Sequence, residues 1–393
     1  MARGRGGFIG QDGLNAPDSP TDVSGSVGDQ SVTVSFTAPT DVGGSAITGY
    51  VATSNDGIGA AGSSSPITVT GLTNGTSYTF SVWAINALGY SSPSSPSSSV
   101  SPAAQYAYML GFQSSNRERV SIISSGNSSN FGTMSDSSNV YHGAASSTTR
   151  GIVGGSSVTT NDFLYWTLAS TGVTQVFGNA ASSGTCKMTS NSTRAISARQ
   201  VYNDNSIEYL TIASTGNGTD FGDLTLSRGQ MAAAGSATRS LFCGGWPSNG
   251  LVDTVDYITI ASTGNATDFG DLTTNAGFFA ACADGTRLVC SARLQNTGPT
   301  TYLNTMDYCT IASTGNFTDF GDATQQSRTT MGAAGTTNGL FMGADAGTGS
   351  YTNNYIDKIV IQTTGNGSDW GDLVTAGNYK FAACSNATVA VQP

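Results

Sequence analysis

The aspartates of this chain are its most regular group of residues that could do chemistry. Four pairs share one spacing, and they are Asp220/Asp223, Asp268/Asp271, Asp319/Asp322 and Asp369/Asp372. Carboxylates beside the amides and carbonyls of a turn are hard oxygen donors that suit calcium. The same side chains can cap their own turns through backbone hydrogen bonds. We favour capping, because the aspartate pairs belong to a repeated segment of the chain and two further copies of that segment lack them. We expect neither a bound metal nor a cofactor.

Other candidates for catalysis are scarce. His142 is the one histidine, and Glu118 and Glu208 are the two glutamates. We interpret His142 as a turn or strand-edge residue and both glutamates as surface residues of strands. A protein without enzymatic activity is therefore expected. The alternative is a sialidase-like glycan hydrolase, in which the turn aspartates would supply the carboxylates.

Composition argues against two classes of partner. The formal net charge is −10 and the three lysines are Lys187, Lys358 and Lys380, so no basic patch is available for a nucleic acid. No apolar run is long enough to insert into a membrane.

The six cysteines match neither a zinc pattern nor a Cys-x-x-Cys pair, and we expect buried free thiols formed in a reducing cytoplasm.

One segment recurs along most of the chain. YITIASTGNATDFGDL, which begins at Tyr257, has close copies from Tyr209, Tyr308 and Lys358 and weaker ones from Val120 and Leu164. The glycine of its turn falls at positions 126, 172, 216, 264, 315 and 365, which are 44 to 51 residues apart. This period, with four strand-like segments per unit, predicts a six-bladed kelch-like β-propeller over residues 103–393.

The strands of one repeat can be assigned from the pattern, and so can the closure of the ring. The fourth repeat predicts strands at Met231–Gly235, Ser240–Gly245, Val255–Ala261 and Asp268–Leu272. The repeat region begins with Tyr106–Phe112, which resembles the second strand of a repeat with no first strand before it. Phe381–Ser385 should supply that first strand and remove the exposed sheet edge.

An aromatic residue followed by glycine occupies the same position in every repeat. We expect each to pack against the neighbouring blade. These residues are Phe131, Phe177, Phe221, Phe269, Phe320 and Trp370.

Residues 17–102 follow a different pattern. Val32–Phe36 and Tyr78–Ala84 alternate like half-buried strands. Leu72 lies six residues before Tyr78, as in the tyrosine corner of β-sandwiches. The segment resembles a fibronectin type III domain, with Phe36 where that family usually has tryptophan. The fold class is therefore all-β, a sandwich followed by a propeller.

The first sixteen residues have too few apolar groups to fold alone. We expect residues 1–16 to be an anchoring arm that docks on a partner chain through Arg3, Arg5, Phe8 and Ile9.

The Arg-Gly start, the fibronectin-like segment and the IASTGNATDFGDL repeats together resemble virion structural proteins of tailed bacteriophages, of the marine cyanophage type. The resemblance implies a tail-fibre or appendage component, present in many copies and held by other virion proteins. It implies assembly in the host cytoplasm and release by lysis. A capsid decoration protein with no ligand is the alternative.

The loops between second and third strands vary most among the repeats. Three of them carry aromatic residues, namely Trp246, Tyr302 and Tyr351. Exposed aromatics among Asn, Ser and Gly suit recognition of a host-surface glycan or envelope protein. Drift of loops on an inert face explains the variation equally well.

Overall fold

The structure is a computed structural model, and its regular elements are all β-strands. It describes residues 14–111, 116–135, 141–156, 161–181, 184–201, 203–291, 293–296, 300–345, 353–374 and 380–387. The chain divides into two units, Met1–Ala104 and Gln105–Pro393. The predicted arm residues Arg3, Arg5, Phe8 and Ile9 lie outside the described residues. Within those, no helix is long and apolar enough to cross a membrane.

Seven strands build the first unit. They form two antiparallel sheets with the strand orders β1-β2-β5 and β4-β3-β6-β7. The strands are β1 (Thr21–Gly28), β2 (Ser31–Thr37), β3 (Ile47–Ser54), β4 (Gly59–Gly62), β5 (Ile67–Thr70), β6 (Phe80–Asn86) and β7 (Gly89–Tyr90). Inward side chains alternate with outward ones along β2 and β6, as predicted, so the core lies between the two sheets.

The tyrosine corner is present. The Tyr78 hydroxyl accepts a hydrogen bond from the Thr73 N–H at 3.0 Å, and Leu72 and Tyr78 are both 3% exposed. Phe36 fills the expected aromatic position, its ring centroid 4.8 Å from that of Tyr50.

The serine- and proline-rich segment after β7 continues to bond to β6. The N–H groups of Ser91, Ser94 and Ser97 each donate to β6 carbonyls at 2.9 Å. Their hydroxyls accept from N–H groups of the same strand at 2.9–3.0 Å. Pro93 and Pro96 fall between the bonded serines, where no N–H donor is needed. The segment is therefore fixed to the sandwich rather than a free linker.

The described residues of the second unit form six four-stranded antiparallel sheets and one two-stranded ribbon. Sheet 1 has β8 (Tyr106–Gly111), β9 (Asn116–Ser121) and β10 (Ser129–Thr133); sheet 2 has β11 (Tyr141–Ser146), β12 (Arg150–Ser156), β13 (Asp162–Thr167) and β14 (Gln175–Asn179); sheet 3 has β15 (Cys186–Ser190), β16 (Arg194–Arg199), β17 (Ser206–Thr211) and β18 (Thr219–Asp223). Sheet 4 has β19 (Ala232–Gly235), β20 (Arg239–Gly245), β21 (Val252–Thr259) and β22 (Thr267–Ala276). Sheet 5 has β23 (Ala281–Ala283), β24 (Arg287–Cys290), β27 (Thr305–Thr310) and β28 (Thr318–Asp322), with a separate ribbon of β25 (Arg293–Asn296) and β26 (Thr300–Leu303); sheet 6 has β29 (Arg328–Ala334), β30 (Asn338–Asp345), β31 (Asn353–Val360) and β32 (Ser368–Asp372).

The C-terminal strand β33 (Lys380–Ser385) completes sheet 1, as the sequence predicts. It pairs antiparallel with β8, with Ser385 opposite Ala107. It also contacts β11 of sheet 2 and β29 of sheet 6. The other first strands contact one another in succession, β11 with β15, β15 with β19, β19 with β23, and β23 with β29.

The recurring aromatic residues pack between consecutive sheets, which confirms the prediction. Phe269 of sheet 4 lies in one cluster with Leu288 and Ile311 of sheet 5. Its ring meets Tyr257 edge-on at 5.9 Å and Phe317 at 6.4 Å. The five equivalent residues occupy the corresponding clusters, Phe131, Phe177, Phe221, Phe320 and Trp370.

Each junction between sheets is also tied by the turn that joins the third and fourth strands. At the junction of sheets 3 and 4, Gly264 and Ala266 donate their N–H groups to the carbonyls of Phe221 and Asp223, both at 2.7 Å. The side-chain oxygen of Asn265 accepts the N–H of Asp223 at 3.1 Å. We call these three bonds the turn clamp. It recurs where Gly216 donates to Phe177, Gly315 to Phe269, Gly365 to Phe320 and Gly126 to Trp370.

The turn clamp explains why glycine follows the aromatic residue. Gly222 has φ 143°, in a region that side chains disfavour. A Cβ there would lie 2.4 Å from the carbonyl oxygen of Gly264 in the next sheet. The backbone of the turn therefore occupies the space that a side chain would need.

We expect Gly222→Ala to lower the free energy of unfolding by about 1–3 kcal/mol through overpacking. The matched control is Gly216→Ala, because a Cβ there meets nothing within 4 Å, and it should change stability by less than about 0.5 kcal/mol. Denaturant unfolding of both variants tests this. Equal stability of the two variants would contradict the turn clamp.

Candidate functional site

Trp246 is anchored at the end of β20 rather than free in a loop. Its main chain exchanges hydrogen bonds with Gly229 at 2.7 and 3.0 Å. Its ring meets Phe278 edge-on at 6.0 Å, and the Arg328 guanidinium lies 5.3 Å from the Phe278 ring centroid. Trp246 is therefore half-buried. The prediction of an exposed aromatic was wrong for Trp246, because the loop that precedes β19 lies against it.

Tyr302 lies on the ribbon of sheet 5. It is half-buried on β26, opposite Leu294 of β25. The base of the ribbon is fixed by two bonds between Leu294 and Gly277, both 3.1 Å. Tyr351 lies outside the described residues, so its predicted role stays untested.

Phe278 and Arg328 are site residues that sequence reasoning missed. Phe278 has φ 58°, and its N–H donates to the carbonyl of Gln230, which has φ 55°. Such conformations in residues other than glycine are strained and often mark functional positions. The signal available in the sequence was the position of Phe278 just before a first strand. We call Trp246, Phe278 and Arg328 the aromatic–arginine cluster.

Buried ion pairs hold both loops from below. Arg228, which precedes the Gly229 that pairs with Trp246, lies 3.1 Å from Asp256. Arg293, which precedes the Leu294 opposite Tyr302, lies 2.7 Å from Asp307. All four side chains are fully buried. Removing one member would strand the opposite charge in the interior, so these pairs restrict how the loops can move.

The interpretation of Glu118 and Glu208 as surface residues was wrong. They are 0% and 3% exposed, at the third-strand position that Asp256, Asp307 and Asp357 occupy in other sheets. The carboxylate accepts hydrogen bonds from residues that follow the fourth strand of the preceding sheet. Ala181 donates to Glu208 in this way, and Thr324 donates to Asp357. The repeat phase alone could not show that another sheet covers this face.

A second repeated contact also escaped the sequence reasoning. Arginines at the start of second strands donate to a carbonyl of the next sheet, at 2.7–3.1 Å, and stack 4.3–4.7 Å from a tyrosine ring of their own sheet. The pairs are Arg150/Tyr165, Arg194/Tyr209, Arg239/Tyr257 and Arg287/Tyr308. Four of the ten arginines in residues 105–393 thus stabilise junctions between sheets.

The turn aspartates show only part of the expected capping. Asp369 accepts the N–H of Gly371 at 3.2 Å, within its own turn. Desolvation, together with the carboxylates of Asp253 and Asp268, raises the pKa of Asp271. In the part of the chain that the structure describes, no group of three or more His, Cys, Asp or Glu side chains could hold a metal ion. His142 lies within β11, but its side chain is outside what is described.

All six cysteines are buried, as predicted, and each is a free thiol. Burial raises the pKa of Cys186 to about 11 and that of Cys384 to about 12. Thiols of this kind form little thiolate at neutral pH and behave as small apolar core residues.

Comparison with known proteins identifies one domain. The fibronectin type III domain model matches residues 18–100, so the chain contains such a domain. A crystal structure of titin domains is similar at 34% identity and covers 22% of this chain and 32% of its own, with a TM-score of 0.21. The chain thus spans about a third of that titin fragment. No curated protein matches.

The buried Asp357 predicts a pH-dependent contribution to stability. Desolvation raises the pKa of this carboxyl, against the opposing hydrogen bonds from Thr324. The folded state therefore holds the proton more tightly than the unfolded chain, whose aspartate pKa is about 3.9. Stability from this group is complete below that value and is lost as the pH rises through the folded pKa.

Asp357→Asn removes this titration. We expect the stability of wild type relative to the variant to increase as the pH falls through the interval between the two pKa values. Denaturant midpoints measured over a pH series give this difference. A difference that stays constant with pH would show that Asp357 has the same pKa folded and unfolded.

Proposed function

We propose that the six sheets are the blades of a six-bladed, kelch-like β-propeller. Three observations support this arrangement. The first strands contact one another in succession, β33 contacts its neighbours on both sides, and the turn clamp recurs from sheet 6 to sheet 1 through Gly126 and Trp370. In such a ring the loops that carry Trp246 and Tyr302 share one face, since both follow second strands.

We propose that the protein is a non-enzymatic structural component of a tailed-bacteriophage virion, in a tail fibre or appendage. The repeat motif and its combination with a fibronectin type III domain support this role by resemblance. Residues 1–16 would anchor the chain to another virion protein, and the propeller would face the host. Several weak sites on one particle would together bind a cell surface strongly.

The aromatic–arginine cluster is the observation that carries the recognition role. Trp246 and Phe278 offer aromatic surface for the apolar face of a sugar ring, and the guanidinium of Arg328 adds positive charge beside the Phe278 ring. The buried ion pairs beneath pre-organise the loops, which lowers the entropic cost of binding. A host-surface glycan or envelope protein fits this chemistry.

A capsid decoration protein without a ligand is the second candidate. The half-buried state of Trp246 favours it, because less aromatic surface is free for a partner. A glycan hydrolase would need a facing pair of carboxylates, whereas the buried third-strand carboxylates accept hydrogen bonds within the sheet junctions.

Deletion of residues 2–13 tests the anchor. Asn15 donates to Gly43 of the sandwich at 3.0 Å, so the deletion stops before it and should leave both units folded. We expect soluble protein that no longer enters phage particles, measured by its abundance in purified virions. Incorporation at the wild-type level would refute the anchoring role.

Replacing Trp246, Tyr302 and Tyr351 by Ala tests recognition. We expect adsorption of particles to cells to fall by about tenfold or more, which corresponds to about 1.4 kcal/mol of binding. Tyr90→Ala is the control, because Tyr90 is an aromatic residue that is 62% exposed in the first unit. Thermal unfolding must accompany the assay, since Trp246 also packs on Phe278. Unchanged adsorption would favour the decoration protein.

A further inference from the structure

The junction between sheets 1 and 2 lacks most of the turn clamp. Thr174 still donates to the carbonyl of Thr133 at 3.2 Å. Val173 replaces the asparagine and is 56% exposed. Gly172 donates instead to Ser170 of its own turn at 3.1 Å. The Thr174 hydroxyl also accepts the N–H of Ser135 at 2.8 Å and bonds to the Ser135 hydroxyl at 3.0 Å. This turn therefore has fewer backbone hydrogen bonds to the preceding sheet than its five counterparts.

A cleft of about 420 Å³ opens beside this turn. Its wall is polar apart from Trp166 and Val173, and it is lined by Arg150, Tyr165, Trp166, Thr167, Ser170 and Gly172–Gln175. Trp166 is 3% exposed. Its indole Nε1 has no hydrogen-bond partner among the described residues, although it is buried. A buried donor of this kind is unfavourable unless a ligand or water accepts from it.

Arg117 lies behind the same turn and is 1% exposed. Its Nη2 donates to the Gly172 carbonyl, and its guanidinium lies 5.1 Å from the Trp166 ring centroid. Nε and Nη1 have no partner within the described residues.

The other buried arginines show what is missing here. Arg228 and Arg293 each have a carboxylate within 3.1 Å, and Arg199 has that of Asp204 at 3.6 Å. Sheet 2 has Leu164 at the position of the third-strand carboxylate. A buried cation without a counter-charge is costly, and burial lowers the pKa of Arg117 to about 10. Among the described residues, the junction therefore has the cation of a buried ion pair without its anion.

We propose that this cleft binds the carboxylate of an acidic sugar, such as a uronic acid unit of a polysaccharide. The carboxylate would accept hydrogen bonds from Arg117 and from Nε1 of Trp166. Thr167, Ser170 and Gln175 line the cleft and would bond to the sugar hydroxyls. Arg117 lies behind the turn rather than in the wall of the cleft, so the turn, which has one backbone bond to sheet 1, would shift to admit the ligand. This site is separate from the aromatic–arginine cluster, so either can fail without the other.

Titration of the full-length protein with D-glucuronate tests the proposal, with tryptophan fluorescence and calorimetry as readouts and D-glucose as the neutral probe. We expect saturable binding of glucuronate and none of glucose at the same concentration. Arg117→Gln should weaken binding by about tenfold or more. Absence of saturable binding, or equal binding of glucose, would overturn the proposal.

Val173→Asn keeps the test decisive if Arg117→Gln does not fold. It restores the asparagine of the turn clamp, so the protein should fold at least as well and bind glucuronate about tenfold more weakly. Asn265→Val, at the junction of sheets 3 and 4, is the matched control and should leave binding unchanged. Undiminished binding by Val173→Asn would place the ligand elsewhere.

Asp136→Asn is the control that tests whether an acidic residue of the chain itself is the counter-charge of Arg117. Asp136 lies outside the described residues. If glucuronate does not bind and Asp136→Asn alone lowers the denaturant midpoint, the anion belongs to the chain and the proposal fails.

Discussion

The second unit depends on one interaction, the hydrogen bonding of each turn to the fourth strand of the sheet before it. Fourth strands are edges, and unpaired edges invite pairing with other chains. The turn clamp occupies the carbonyls of Phe221 and Asp223 at one junction and the equivalent groups at four others. Glycine follows the aromatic residue because the turn backbone lies where a side chain would be. The aromatic residue can then pack against the next sheet, so one backbone contact sets both edge protection and core packing.

Charged groups serve the same junctions in a second way. Carboxylates of the third strands accept hydrogen bonds from residues that follow the fourth strand of the preceding sheet. The arginines at the start of second strands donate hydrogen bonds to carbonyls of the sheet that follows. Where the carboxylate also meets a buried arginine, as at Asp256 and Asp307, the pair lies directly beneath a varying loop. The interior charges therefore link the repeated framework to the loops that carry Trp246 and Tyr302. Their rigidity favours binding with little loss of conformational entropy.

Departures from the repeat mark the places where the protein has room for function. The strained pair Gln230 and Phe278 brings an aromatic ring and Arg328 to Trp246. At the junction of sheets 1 and 2, Val173 and Leu164 replace an asparagine and a carboxylate. A cleft lies there, with a buried cation that meets no carboxylate among the described residues. The second feature arises where residues of the repeat are replaced, because at the other junctions those residues hold the sheets together.

The sequence by itself determined the all-β class, the number of repeats, the order of strands within a sheet, and the pairing of β33 with β8. Turn glycines and alternating side chains are local signals, and a fixed period carries them along the chain. Tyr78 and Leu72 likewise predicted the corner of the sandwich. Alternation tells which side of a strand a residue faces, but not what covers that side. Only the tertiary structure therefore decided that Glu118 and Glu208 are buried, that Arg117 meets no carboxylate among the described residues, and that Trp246 packs on Phe278. These contacts join residues of different sheets, and their geometry depends on how neighbouring sheets stack.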